Sequence, residues 1–279
     1  QYVFNERNHD NGEKRLLGKS GFFNGDHVLD MLCQEPATPR HIVKKMWEWF
    51  VYPNPSADLI ERLTRRYLQS GMETKALLRA MMESPELYSE EAERGVVKDP
   101  VYFCISTLRA LGLGQVQVRL MQEAAQQDAQ ANRGGRPAAL GALAMQSTRS
   151  MGMHLMMPPD VAGWEIGQGW ISSATMIERI KWAESIFGNR TRGGQRFSTL
   201  PDREKGQFFF SILDQESDPS RAVDRIISIL DAKSLVHKRS TFIAAAQEAS
   251  GGTVTTSNCA KVWADVSRLI FGSPEYHFC

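Results

Sequence analysis

Cysteine is scarce in this 279-residue chain: Cys33, Cys104, Cys259 and Cys279 are its full complement. No two of them form a CxxC pair, which argues against a structural zinc site of the usual spacing, and a chain of this length does not need disulfides for stability. Charge of one sign is also lacking. With 33 Lys and Arg against 32 Asp and Glu the net charge is +1, so no global field advertises a nucleic-acid partner or an anionic membrane. No apolar run approaches the roughly 20 residues that span a bilayer. Gly-x-Ser-x-Gly is absent, as is Gly-x-x-x-x-Gly-Lys, so neither a nucleophile elbow nor a phosphate-binding loop is in view. Period-two alternation is never sustained, and Thr253–Thr256 is the one β-like stretch. The chain starts at Gln1 without methionine or a signal-peptide pattern. The expectation is a removed leader or a fragment.

What the sequence has in quantity is helix signal. Thr38-Pro39 reads as an N-cap with proline behind it, followed by Ile42, Val43, Met46, Trp47, Phe50 and Val51 at helical spacing. These residues cover more than one face, as in a helix buried between layers. Ser56 opens a second helix bearing Leu59, Ile60, Leu63 and Tyr67, and a third carries Leu77, Leu78, Met81 and Met82 up to Ser84-Pro85. Asp99-Pro100 begins a fourth, closed by Gly112, and Asp218-Pro219 begins a later one with Val223, Ile226, Ile227 and Leu230. Residues 115–132 favour helix but carry few large apolar anchors, which predicts an exposed element. The fold class is therefore all-α: a bundle-like array with long ordered loops and few or no strands. Residues 1–187 form the helical core region, 188–200 a basic Gly-rich linker, and 201–279 a C-terminal helical lobe. One internal echo joins these parts: Leu77–Glu86 and Val266–Glu275 each read as an apolar helix ended by Ser-Pro-Glu.

Candidate sites are few. His9 and Asp10 lie in a polar, turn-rich segment, where a histidine beside a carboxylate suits a divalent metal or a general base once a third group joins them. Asp160 is the candidate third group. In the plainer reading Asp10-Asn11-Gly12 is a turn, His9 bonds backbone, and Asp160 caps the turn that follows it. Between Pro158 and Trp170, Trp164 and Trp170 offer two indole faces for stacking on a sugar or peptide; alternatively both are buried plugs between helices. Arg190, Arg192 and Arg196 could hold a phosphate or sulfate, or belong to a solvated linker. Met153, His154 and Met156 faintly suggest copper, though the methionines read better as core filler.

As a set, several segments are recognisable. They are His9-Asp10 with Lys14 and Gly18, Pro36-Ala37-Thr38 with Lys44-Lys45, and Lys98-Asp99-Pro100 with Leu108-Arg109-Ala110-Leu111-Gly112. Pro158-Pro159-Asp160-Val161-Ala162-Gly163-Trp164 with Gly169-Trp170 follows, and then Ser273-Pro274-Glu275-Tyr276. In this order and spacing the chain resembles the C-terminal half of a bacterial family known as domain of unknown function eighteen hundred. The resemblance implies a helix-rich, exported protein whose N-terminal half is missing here and would be a partner of this half. It also implies a sulfatase-like or phosphatase-like protein encoded nearby as a second partner. It implies no reaction. The Gln/Ala-rich insert at 122–133 and the basic loop at 188–196 match no motif of that family.

Two functions are consistent with these residues. The first is an exported, non-catalytic helical scaffold or binding module that works with a partner protein. The alternative is a metal-dependent or hydrolase-like enzyme acting on cell-envelope or extracellular polymer, centred on His9, Asp10 and Asp160. Convergence of those polar groups in one pocket would favour the enzyme.

Overall fold

Capped amphipathic helices make up most of the chain, and each cap can be traced to its residue. The computed structural model describes residues 3–128, 140–188, 190–192, 195–197, 200 and 202–279. Its α-helices are α1 (Gly25–Gln34), α2 (Ala37–Phe50), α3 (Ala57–Gln69), α4 (Thr74–Met82), α5 (Pro100–Ala110) and α6 (Leu113–Asp128), followed by α7 (Leu140–Ser150), α8 (Ser173–Phe187), α9 (Asp202–Ser211), α10 (Pro219–Ile229), α11 (Arg239–Ser250) and α12 (Cys259–Phe271). Strands occur only as two two-stranded antiparallel hairpins among the described residues: β1 (Lys14–Leu16) with β2 (Lys19–Gly21), and β3 (Arg190–Arg192) with β4 (Gln195–Phe197). The class is all-α.

The helices group into two compact units, Gln1–Val96 and Val97–Cys279. The stretch 188–200, which the composition marks as a linker, lies inside the second unit. Helices before and after it share one core, since Trp182 and Ile186 belong to the same buried cluster as Phe209 and Leu213.

In the first unit α2, α3 and α4 pack around Trp47, whose ring is fully enclosed and meets Tyr52 edge-on at 5.5 Å. Pro39, Val43 and Trp47 form the buried stripe of α2, and Leu59, Ile60, Leu63 and Tyr67 that of α3. Ser56 caps α3 by accepting from Leu59 N, as its position before the apolar run requires. Gly95 is a glycine by necessity, because a Cβ there would lie 2.4 Å from the Val51 carbonyl oxygen. The N-cap expected at Thr38 is corrected: α2 starts at Ala37, and the Thr38 hydroxyl instead donates to the Leu32 carbonyl at the end of α1. β1 and β2 escaped the sequence reading because three-residue strands hold too few residues to display alternation. Their turn, Leu17-Gly18, takes positive φ at both residues, the conformation of a two-residue hairpin.

In the second unit α12 is the central helix, with Val262, Trp263, Val266, Ile270 and Phe271 all enclosed and α8, α9, α10 and α11 packed around it. Phe187 stacks on Trp263 at 5.2 Å, and the Trp263 indole donates to the Phe209 carbonyl. Asp99 and Asp218 cap α5 and α10 through backbone N–H groups two or three residues on, each with proline at the first helical position. Thr253–Thr256 forms no strand; Val254 is buried and its N–H donates to the Ser217 carbonyl.

The echo noted in the sequence is structural. Ser84 ends α4 with its hydroxyl on the Ala80 carbonyl (2.8 Å), and Ser273 ends α12 with its hydroxyl on the Leu269 carbonyl (2.9 Å). A 3-10 turn follows each, and the glutamate of each turn is ion-paired, Glu86 with Arg62 and Glu275 with Lys238. Each unit thus ends a core helix with the same hydrogen-bonded device.

Candidate functional site

His9 and Asp10 precede the first hairpin and serve it. Asp10 Oδ1 accepts from Gly12 N at 2.8 Å, and Lys14 donates to the carbonyls of Asp10 and Gly12. The Gly12 N–H first and the Lys14 charge second hold the Asp10 carboxyl below its ordinary range. His9 is half-buried with its ring 5.2 Å from Phe4. Asp160 belongs to the second unit and to a different turn, where Oδ1 accepts from Ala162 N at 2.8 Å. Among the described residues no three His, Cys, Asp or Glu side chains gather as a metal ion would require. Each carboxylate of the trio is accounted for by its own local turn.

The loop from Met153 to Trp170 divides its side chains between the interior and solvent. Trp170 is buried: it lies against the Gly152 backbone, and its carbonyl accepts from Thr175 Oγ1 in the capping box of α8. Trp164 is half-buried, with its indole N–H enclosed and without a partner among the described residues. Trp170 therefore anchors the loop beside the end of α7 and the start of α8. The side chains it presents to solvent are aliphatic: Leu155, Met156, Met157, Val161 and Ile166. Val161 is completely exposed and Met156 84% so. The backbone holds them there, since Met157 N donates to the His154 carbonyl, Gly163 N to that of Asp160, and Met156 and Gly163 both take positive φ. Met156 turns outward while Met153 and His154 are half-buried.

Arg190 and Arg192 lie on β3 and Arg196 on β4, a hairpin where a linker was expected; their side chains lie outside the described residues. Beside this hairpin's base, the end of α8, the start of α9 and one face of α12 enclose a cleft of about 900 Å³. Lys205, Lys261 and Arg268 reach it together with Glu184 and Asp265, and Arg268 is braced at 3.3 Å by each carboxylate. Lys205 is buried and donates to the Gly188 carbonyl.

A third arrangement was missed from sequence. It unites the segment at 98–100 with that at 273–276 through Arg179 and His277. Lys98 N donates to the His277 carbonyl at 2.7 Å, Lys98 Nζ sits 3.9 Å over the Tyr276 ring, and Arg179 Nη2 donates to the Lys98 carbonyl at 2.8 Å. His277 Nδ1 faces Arg179 Nη1 at 3.3 Å while Nε2 reaches the Phe271 carbonyl at 2.9 Å, so the ring is held as the neutral Nε2–H tautomer. Burial, and then the Arg179 charge, push the His277 pKa down to about 4. Burial likewise pushes Arg179 down to about 10 and the neighbouring Cys104 thiol up to about 12, which keeps that thiol protonated and unreactive. A signal was available: Arg179 shares its helical stripe with Trp182, Ala183 and Ile186, a core register where a charge is anomalous. This arrangement is enclosed, and its chemistry is that of a structural clasp holding the two ends of the unit together.

The family model described as "Protein of unknown function (DUF1800)" matches residues 1–278. No curated protein and no solved structure matches the chain.

Proposed function

This chain belongs to the DUF1800 family, and from that premise we propose that it is a non-catalytic binding module, exported from the cell, that docks a partner protein through the loop between Met153 and Trp170. The observation that carries the proposal is the division of the loop: Trp170 inward as an anchor, aliphatic side chains outward on a hydrogen-bonded turn. Leaving a large aliphatic side chain in water forgoes about 1.5–3 kcal/mol of burial. A turn that holds several of them out therefore favours any partner that covers them. Because the backbone is already ordered by its own hydrogen bonds, docking costs little further conformational entropy. Methionines at the contact add adaptability. The enzyme alternative gains no such support, because the carboxylates of Asp10 and Asp160 each accept from a backbone N–H of their own turn.

The test is a photo-crosslinking amino acid placed at Val161 in the native host, with the exposed Arg221 on α10 as a control position. A discrete protein adduct at position 161 that is absent at position 221 is the expected result. Intact protein with no adduct from position 161 would overturn the proposal. Fractionation of the same cells tests export: recovery wholly in the cytosol would remove that part.

A further inference from the structure

We infer that the surface receiving this loop is an apolar socket on a partner protein rimmed by lysine or arginine side chains. The inference rests on the binding-module reading above and specifies its partner. Lys and Arg make up 33 of 279 residues, about one in eight, yet residues 150–178 contain none. Asp160, Glu165 and Glu178 are the carboxylates of that stretch, so its charge is of one sign. Asp160 spends Oδ1 on Ala162 N, and among the described residues Oδ2 accepts no hydrogen bond. Glu165 is exposed and no cation pairs with it among the described residues. Two unneutralised carboxylates therefore flank Val161 and Ile166, two of the exposed aliphatic side chains of the loop.

This pairing of apolar apex and acidic flank selects its counterpart. A phosphate backbone or an anionic bilayer repels it, because both are bound through Lys and Arg. A neutral bilayer is a poor host as well: interfacial segments anchor through exposed aromatic rings and basic side chains, and here Trp170 is buried, Trp164 is half-buried, and Lys and Arg are absent. A protein socket with a basic rim satisfies both features. It covers the aliphatic side chains, and it pairs the carboxylates at the edge of the contact, where complementary charge steers association and selects the partner.

The experiment uses the full chain with the crosslinker at Val161 and maps the adduct by mass spectrometry, in the native background and in Glu165→Gln and Glu165→Lys. Glu165 is exposed, so both variants should fold, and matching circular dichroism spectra verify it. The expected result is an adduct on apolar partner residues with Lys or Arg beside them. Its yield should fall a few-fold in E165Q and about tenfold or more in E165K, the size of one lost and then reversed ion pair. A protein adduct at a site without basic neighbours, with equal yield in E165K, would overturn the inference and leave the binding-module reading standing. Absence of any protein adduct would remove both. So would flotation of the purified chain with phosphatidylcholine vesicles in a manner abolished by Val161→Glu, which would assign the loop to lipid.

Discussion

Replacing His277 with glutamine removes a buried titratable ring while retaining one acceptor for Arg179 and one donor for the Phe271 carbonyl. In the folded chain the imidazole is enclosed and neutral, with its pKa held at about 4 against 6.5 for an ordinary histidine. As pH falls below 6.5 the unfolded chain takes up a proton that the folded chain refuses, so the unfolded state is favoured. The loss grows as pH approaches 4 and levels off below it. At about 1.4 kcal/mol per tenfold change in proton affinity, the drop from 6.5 to about 4 amounts to roughly 3 kcal/mol. Charging a ring buried out of water is the first origin of that cost, and a third positive charge beside Arg179 and Lys98 adds to it. Carboxylates also titrate in this range, but they do so in wild type and variant alike, so the difference between the two isolates His277. The assay is urea denaturation followed by circular dichroism at a series of pH values. Wild type and H277Q should differ by a constant amount above neutrality, and wild type should lose roughly 3 kcal/mol relative to the variant on going to the folded pKa. Curves that stay parallel throughout would refute the reasoning, and with it the enclosed neutral ring.

Other outcomes follow from the same geometry. Arg179→Met should destabilise the chain by about 2 kcal/mol in urea titrations, because the Lys98 carbonyl and His277 Nδ1 both lose their donor while the apolar stem is replaced. Asp99→Ala and Asp218→Ala should each cost about 1 kcal/mol, the usual worth of a helix N-cap, by the same measurement. Ellman's reagent should titrate the exposed Cys33 and Cys279 in native protein, and Cys104 and Cys259 only after denaturant, since both are buried with thiol pKa values near 12. Trp170→Ala should cost about 3–5 kcal/mol as a buried ring, whereas Val161→Ala should change stability by less than about 0.5 kcal/mol; equal effects would contradict the inward and outward division of the loop.

Local signals were legible in the sequence wherever a short segment contains its own physical cause. Ser56, Asp99 and Asp218 cap helices from the positions their neighbours predict, because a side-chain oxygen needs only the backbone N–H groups of the next turn. The helical stripes of α3 and α10 followed from spacing, whereas in α4 Met82 is exposed and Ala80 joins Leu77 and Met81 in the core; the Ser-Pro-Glu turns, whose serines bond four residues back, were also legible. The resemblance over the whole chain led to the correct family. Hairpins three residues long per strand were not legible, since pairing between strands rather than alternation within them defines them. Thr38 illustrates competition: its hydroxyl had a more distant carbonyl available at Leu32, and only packing of α1 against α2 decided which it took. What tertiary structure alone decided was direction and partnership. Composition placed Trp164 and Trp170 in a loop, but which side chains face the core depended on Gly152, α7 and α8 meeting there. Sequence spacing likewise could not bring Lys98, Arg179 and His277 together, because their segments lie far apart in the chain and meet only when α5, α8 and the end of α12 close on one another.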